Sequence, residues 1–129
     1  MKIDCPSCHS VIKLKQKYQY HIGFSNLGVL YCDSHSELLM FSTYNPIYRE
    51  IIGAKHPWTL SEKEKAKVEE NLKPCSCGGR FRFDAPPRCP VCNASLASLL
   101  KDKLHYIEVG KVVDGDKDDV WLFKHAQQA

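Results

Sequence analysis

The chain has 129 residues and a formal net charge of +3, from 18 lysines and arginines and 15 aspartates and glutamates. A hydrophobic content of 43% is typical of folded globular chains and excludes a wholly disordered one. No apolar run approaches the roughly 18 residues of a membrane helix, and none follows the N-terminus as in a secretion signal. We therefore expect a cytoplasmic protein with no membrane partner and with reduced cysteines.

The first third of the chain has a strand-like pattern. From Ile12 onward, apolar residues alternate with lysines as far as Tyr18 and Tyr20, and a period of two indicates a strand with one solvent-facing side. A second run at residues 29–31 leads into a cysteine, and residues 38–41 are expected to form a third strand.

Two helices are predicted in the middle of the chain. Asn45 suits an N-cap and Pro46 the first helical position of a short helix. Ser61 and Glu64 have the spacing of a capping box at the start of a second helix, which Pro74 closes.

The C-terminal third is predicted to contain a helical face and a β-hairpin. Leu96, Leu99 and Leu100 share one side of a helix. Two apolar runs flank a turn near residues 114–115, and we expect Trp121 and Phe123 to pack inward from the second run.

The cysteines carry the strongest chemical signal. Six of the seven form the close pairs Cys5/Cys8, Cys75/Cys77 and Cys89/Cys92, and Cys32 has His35 three residues later. An odd number of cysteines, most of them in pairs with short spacing, favours metal binding over disulfides. Zinc in a structural site takes four cysteine or histidine ligands in a tetrahedron. We therefore predict two Zn²⁺ ions, one bound by Cys5, Cys8, Cys32 and His35, and one by Cys75, Cys77, Cys89 and Cys92.

Three alternatives to this ligand assignment stay open. A cross-braced arrangement would join Cys5 and Cys8 to the last cysteine pair, although sequential sites close shorter loops. His9 or His21 would replace His35 if His35 is only a surface residue. Iron could occupy the second site, because four thiolates accept either metal.

The motifs "CPSC…CDSH" and "CSCGG…PPRCPVCN" resemble the ligand knuckles of zinc-ribbon proteins, and the second is similar to short rubredoxin-like ribbons. The resemblance covers residues 5–35 and 75–92 and implies two metal-bearing β-hairpin modules. The sequence departs from the pattern where Cys75 and Cys77 are separated by one residue and where the first motif ends in histidine. Zinc ribbons occur with many functions, so the resemblance indicates a fold more than an activity.

The expected fold is therefore small α+β, with two zinc ribbons joined by helical segments and closed by a C-terminal hairpin. Residues 1–44 would form the first ribbon, residues 45–73 a helical connector, and residues 74–129 the second ribbon with its helix and hairpin.

The function expected from the sequence is that of a non-enzymatic, zinc-binding interaction or adaptor module whose partner is another protein. The alternative is a nucleic-acid-binding protein that uses Arg80, Arg82 and Arg88. In an extended strand Phe81 and Phe83 would face inward and the arginines outward, which needs no ligand to explain it. Two Zn²⁺ ions add four positive charges and seven thiolates remove seven, which brings the formal +3 to zero and weakens the nucleic-acid interpretation. No catalytic constellation is recognisable, and the oligomeric state is left open.

Overall fold

The computed structural model describes residues 2–16, 27–99, 105–107 and 110–122, which form a small mixed α+β fold with two sheets and two α-helices. The strands are β1 (Lys2–Asp4), β2 (Val11–Gln16), β3 (Leu27–Cys32), β4 (Glu37–Ser42), β5 (Phe81–Arg82), β6 (His105–Ile107) and β7 (Lys111–Asp114). The α-helices are α1 (Pro46–Ile51) and α2 (Glu62–Glu70), and short 3₁₀ turns cover Pro57–Thr59 and Ala97–Leu99. No helix in these ranges is long and apolar enough to span a membrane.

The strands form a three-stranded sheet, in the order β1-β2-β6, and a four-stranded sheet, in the order β5-β3-β4-β7. All pairings are antiparallel except that of β4 with β7, which is parallel. The larger sheet therefore combines β3 and β4 from the first third of the chain with β5 and β7 from the last third. The predicted strand from Ile12 is present as β2, while Tyr18 and Tyr20 lie outside the described residues.

Both faces of the central strands β3 and β4 contribute to hydrophobic cores. Consecutive strand residues point to opposite faces, and Leu30 belongs to one core whereas Tyr31 belongs to another. The first core gathers around Trp121, with Phe41 packed edge-on against the indole at 5.4 Å between ring centroids. The second, smaller core contains Ile12. Each core also contains cysteines, so the cysteines are divided between the two sides of the sheet.

The helix starts confirm the sequence-based predictions. The Asn45 side chain accepts hydrogen bonds from the backbone N–H groups of Ile47 at 2.9 Å and Tyr48 at 3.1 Å. Ser61 and Glu64 form both hydrogen bonds of the capping box at the start of α2. These signals act within one helical turn, which is why the sequence alone contains them.

The C-terminal hairpin is not found in the part of the chain that the structure describes. β7 pairs with β4, and the chain then turns so that Trp121 forms an isolated bridge with Leu72. The indole Nε1 of Trp121 donates to the Gly115 carbonyl at 3.0 Å, and burial of this large side chain draws the segment toward α2. Phe123 and Leu100 lie outside the described residues.

We expect Asn45→Ala to lower the free energy of unfolding by about 2 kcal/mol, because it removes a buried cap. Asn45 is 5% exposed, and its Nδ2 also donates to the Asp116 carboxylate at 2.7 Å. Ser61→Ala is the matched control, since it removes an exposed cap worth about 1 kcal/mol. Urea denaturation of the metal-loaded proteins measures both changes, and an Asn45→Ala loss no larger than that of Ser61→Ala would contradict this account.

Candidate metal centres

Two turns of the same geometry carry the Cys-x2-Cys motifs, at residues 5–10 and 89–94. In each turn the first cysteine donates its backbone N–H to the carbonyl five residues later and accepts from the N–H four residues later, at 2.8–2.9 Å. The accepting geometry requires a left-handed residue, which is His9 with φ 63° in one turn and Asn93 with φ 64° in the other. Asparagine adopts this conformation readily.

These two turns bring Cys5, Cys8, Cys89 and Cys92 together, with all four Sγ atoms within 4.8 Å of one another. Sγ of Cys5 lies 3.6 Å from that of Cys92, and Sγ of Cys8 lies 3.6 Å from that of Cys89. A zinc ion with Zn–S bonds of about 2.3 Å has sulfur atoms about 3.8 Å apart at the corners of its tetrahedron. The four-thiol cluster therefore has the dimensions of a closed metal site.

Local hydrogen bonds prepare part of the four-thiol cluster for metal binding. Sγ of Cys8 lies 3.2 Å from Oγ of Ser10, and the hydroxyl and then the backbone N–H of Ser10 lower the pKa of Cys8 to about 6. The backbone N–H of Cys8 is the main cause that lowers the pKa of Cys5. Thiolates are the form that binds metal ions, so these contacts favour loading.

A second cluster contains Cys32, Cys75 and Cys77. Sγ of Cys77 lies 3.4 Å from that of Cys32 and 3.5 Å from that of Cys75, and all three lie within 4.8 Å of one another. Cys75 and Cys77 sit on a turn at residues 75–79, which repeats the knuckle pattern with one residue fewer and has Gly78 at φ 95°. The single-residue spacing is therefore a shortened knuckle that still presents both thiols to one point.

The three-thiol cluster is set deeper than the four-thiol cluster. Cys32 and Cys75 belong to the main core, and burial raises the pKa of both thiols. The backbone N–H of Gly79 lowers the pKa of Cys77, which is exposed. The buried carboxylate of Glu37 lies 2.8 Å from Sγ of Cys75. The strand predicted from the sequence begins at residue 38, one residue after Glu37, and no local pattern places this acid beside the cysteines.

His35 is exposed and is not part of either group of potential ligands in the described residues. The chain after Cys32 turns back into β4, and the N–H of Ser34 donates to Sγ of Cys32 at 3.4 Å, while the N–H of Asp33 donates to the Arg80 carbonyl at 2.9 Å and extends the pairing of β3 with β5. His9 is exposed on its own turn, and His21 lies outside the described residues.

The observed grouping corrects the sequential pairing expected from the sequence and corresponds to the cross-braced alternative. Cys32 pairs in register with Phe81, which places it beside the turn at residues 75–79. The N-terminal knuckle at residues 5–10 then lies opposite the knuckle at residues 89–94. Loop closure was the argument for sequential sites, but each doubling of loop length costs only about 0.6 kcal/mol, which strand pairing easily exceeds.

Comparison with family models identifies a match to residues 1–98, described as a domain of unknown function (DUF8255). The chain belongs to this family. The matched segment contains all seven cysteines of the two clusters. Searches of curated proteins and of solved structures found no significant match.

In this DUF8255 chain Arg88 links the two clusters instead of facing solvent. Its Nη1 donates to the Asn93 carbonyl at 3.0 Å and its Nη2 to the Asp33 carbonyl at 3.2 Å. The side-chain amide of Asn93 also donates to the Ser34 carbonyl at 3.1 Å. The turn after Cys32 is thus fastened to the knuckle that carries Cys89 and Cys92.

Cys5→Ser in the metal-loaded DUF8255 chain tests the ligand grouping. We expect Cys8, Cys89 and Cys92 to become reactive toward iodoacetamide, because they share the damaged site, while Cys32, Cys75 and Cys77 stay protected. Peptide mass spectrometry after brief alkylation under native conditions measures each thiol.

Cys77→Ser is the matched control and should release Cys32 and Cys75 while the four-thiol cluster stays protected. Release of Cys32 by Cys5→Ser, with Cys89 and Cys92 still protected, would restore the sequential assignment.

Proposed function

We propose that zinc fills both clusters in a structural role and that the chain acts as a protein-interaction or adaptor module. The observation that carries the proposal is the four-thiol cluster. It brings together Cys5 and Cys92, which are 87 positions apart in the chain, and Cys8 and Cys89, which are 81 positions apart. Four thiolates leave no coordination position for a substrate, and this is the arrangement of structural zinc sites. Each ion would do for this small fold what a larger hydrophobic core does elsewhere.

Zinc is favoured over iron by the surroundings of the clusters. Four thiolates accept either metal. The three-thiol cluster, however, has a buried carboxylate beside it, and carboxylate oxygen is a regular ligand of zinc alongside cysteine. Structural zinc in both clusters also requires no electron-transfer partner.

The surface next to the four-thiol cluster supports a protein partner. Val91 lies inside the knuckle between Cys89 and Cys92 and is 69% exposed, and Val11 follows the other knuckle and is 61% exposed. Metal-bound turns hold such side chains in a fixed position, so binding a partner costs little conformational entropy. Exposed, preorganised apolar groups are suited to contact with another protein.

Nucleic-acid binding is the second candidate, and one observation favours it. Arg80 and Arg82 are both exposed, while Phe81 between them is buried at 4% exposure. Arg82 is also paired with Asp84 at 3.4 Å, and the internal hydrogen bonds of Arg88 remove it from the basic surface. Two of the three arginines are therefore engaged within the chain, so we rank this function below protein interaction.

Removal of metal by a strong chelator should abolish the cooperative unfolding transition, because the ligands lie in both cores and metal-binding free energy is folding free energy. Elemental analysis should give two zinc ions per chain before chelation, and circular dichroism with fluorescence of the buried Trp121 should follow the loss. Added zinc should restore the transition. A chelated chain that keeps its unfolding midpoint would contradict a structural role.

Affinity purification from the native host tests the choice of partner. The double variant Val11→Ser/Val91→Ser is expected to lose a protein that the unaltered chain retains, because it removes the exposed apolar groups beside the four-thiol cluster. Val112→Ser, on β7 and 48% exposed, is the matched control and should retain that protein. If nucleic acid is retained instead, and is lost in salt and in Arg80→Ser/Arg82→Ser, the second candidate replaces the first.

A further inference from the structure

The three-thiol cluster lacks one ligand. A tetrahedral zinc site takes four, and among the described residues only Cys32, Cys75 and Cys77 lie within 4.8 Å of one another at this point. The fourth ligand must therefore come from a described side chain that can reach the cluster by a small movement, from a residue outside the described ranges, or from outside the chain.

Glu37 stands at the right place in the sheet. β3 and β4 pair antiparallel, with Leu30 opposite Leu39 and Tyr31 opposite Leu38, so the next position of the register sets Cys32 opposite Glu37. Directly opposed residues share a face of the sheet, with Cβ atoms about 5 Å apart. Glu37 thus begins on the same side as Cys32, and its Oε2 lies 2.8 Å from Sγ of Cys75.

The surroundings of Glu37 call for a positive charge. The residue is 7% exposed, and its carboxylate is held by the Cys75 thiol and by the Ser76 hydroxyl at 3.3 Å. No ion pair in the described part of the chain includes it. A buried carboxylate is costly unless it is paired or binds a metal. A metal-bound cysteine is a thiolate and has no proton to donate to Glu37. Without a cation between them, the Cys75 thiolate and the Glu37 carboxylate would be two anions in close contact.

We propose that the Glu37 carboxylate is the fourth ligand of the second site, which is then a Cys₃Glu zinc site; the inference rests on the zinc-binding function proposed above. Ligation requires Glu37 to rotate about its side-chain bonds from Cys75 toward Cys32 and Cys77. Three thiolates and one carboxylate around Zn²⁺ carry the same net charge of −2 as four thiolates. Lys111 supports this charge from outside, since its Nζ donates to Oγ of Ser76 at 3.1 Å and Ser76 in turn contacts Glu37.

His35 is the competing ligand in the same region. It is exposed, and its ring nitrogens do not lie within 4.8 Å of all three thiols, whereas the Glu37 carboxylate already lies 2.8 Å from Sγ of Cys75. Glu37 requires only a side-chain rotation. The geometry therefore favours the carboxylate over the imidazole.

The test uses the full chain loaded with ¹¹³Cd²⁺ for NMR and with Zn²⁺ for competition against a chromophoric chelator. The unaltered chain should give two cadmium resonances, one from four sulfur ligands and one from a site with fewer. Glu37→Gln keeps the size of the side chain and should lower the zinc affinity of the second site by more than about 100-fold. Loss of a residue that only contacts a metal ligand lowers the affinity by about 10–100-fold. Glu37→Cys should restore tight binding and move the second resonance toward the first. His35→Ala should change neither.

The first site serves as the internal reference in every variant. A loss in Glu37→Gln of about 100-fold or less, or a second resonance that is abolished by His35→Ala, would overturn the assignment of Glu37. Either result leaves the zinc function standing as long as both sites load. An unaltered chain that loads neither site would instead reject the proposed function.

Discussion

The meeting of the N-terminal knuckle with the knuckle at residues 89–94 is the constraint on which the fold depends. Four thiols on these turns close most of the chain into one loop, and the strands between them supply two modest cores. Closing a long loop costs only slightly more than closing a short one, so a tight four-ligand site can offset that cost. The sheet can then combine strands from both ends of the chain without a large core.

The two clusters form a coupled pair across the larger sheet. Cys5 and Cys89 belong to the smaller core, whereas Cys32 and Cys75 belong to the main one. Arg88 and the turn after Cys32 connect them through carbonyl contacts, and Oγ of Ser36 donates to the Arg88 carbonyl at 2.9 Å. When the knuckle at residues 89–94 is ordered, it therefore presents hydrogen-bond partners to the turn after Cys32. This explains an arginine that the sequence alone presents as part of a basic surface.

The features that could be predicted from the sequence are those that residues close together in the chain determine. The caps at Asn45 and Ser61 are recognisable because a side chain there meets backbone groups within one turn. The cysteine pairs are recognisable because each knuckle is a local turn. Which knuckles share an ion depends on strand pairing, and the parallel pairing of β4 with β7 leaves no periodic signal in either segment. Glu37 escaped notice for the same reason, since only the register places it opposite Cys32.

The clusters differ in depth, so metal ions held in them would have different tasks. The four-thiol cluster has Cys92 exposed and two exposed valines around it, so an ion held there would chiefly shape a surface. The three-thiol cluster has two of its cysteines in the main core and lies next to the carboxylate of Glu37, which is 7% exposed. An ion held there would compensate charge inside the fold, because without it a buried acid and two buried thiols share a space lined by apolar side chains. Under the proposed function, one site would shape the surface that is offered to a protein partner, and the other would compensate the charge of the acid at the start of β4.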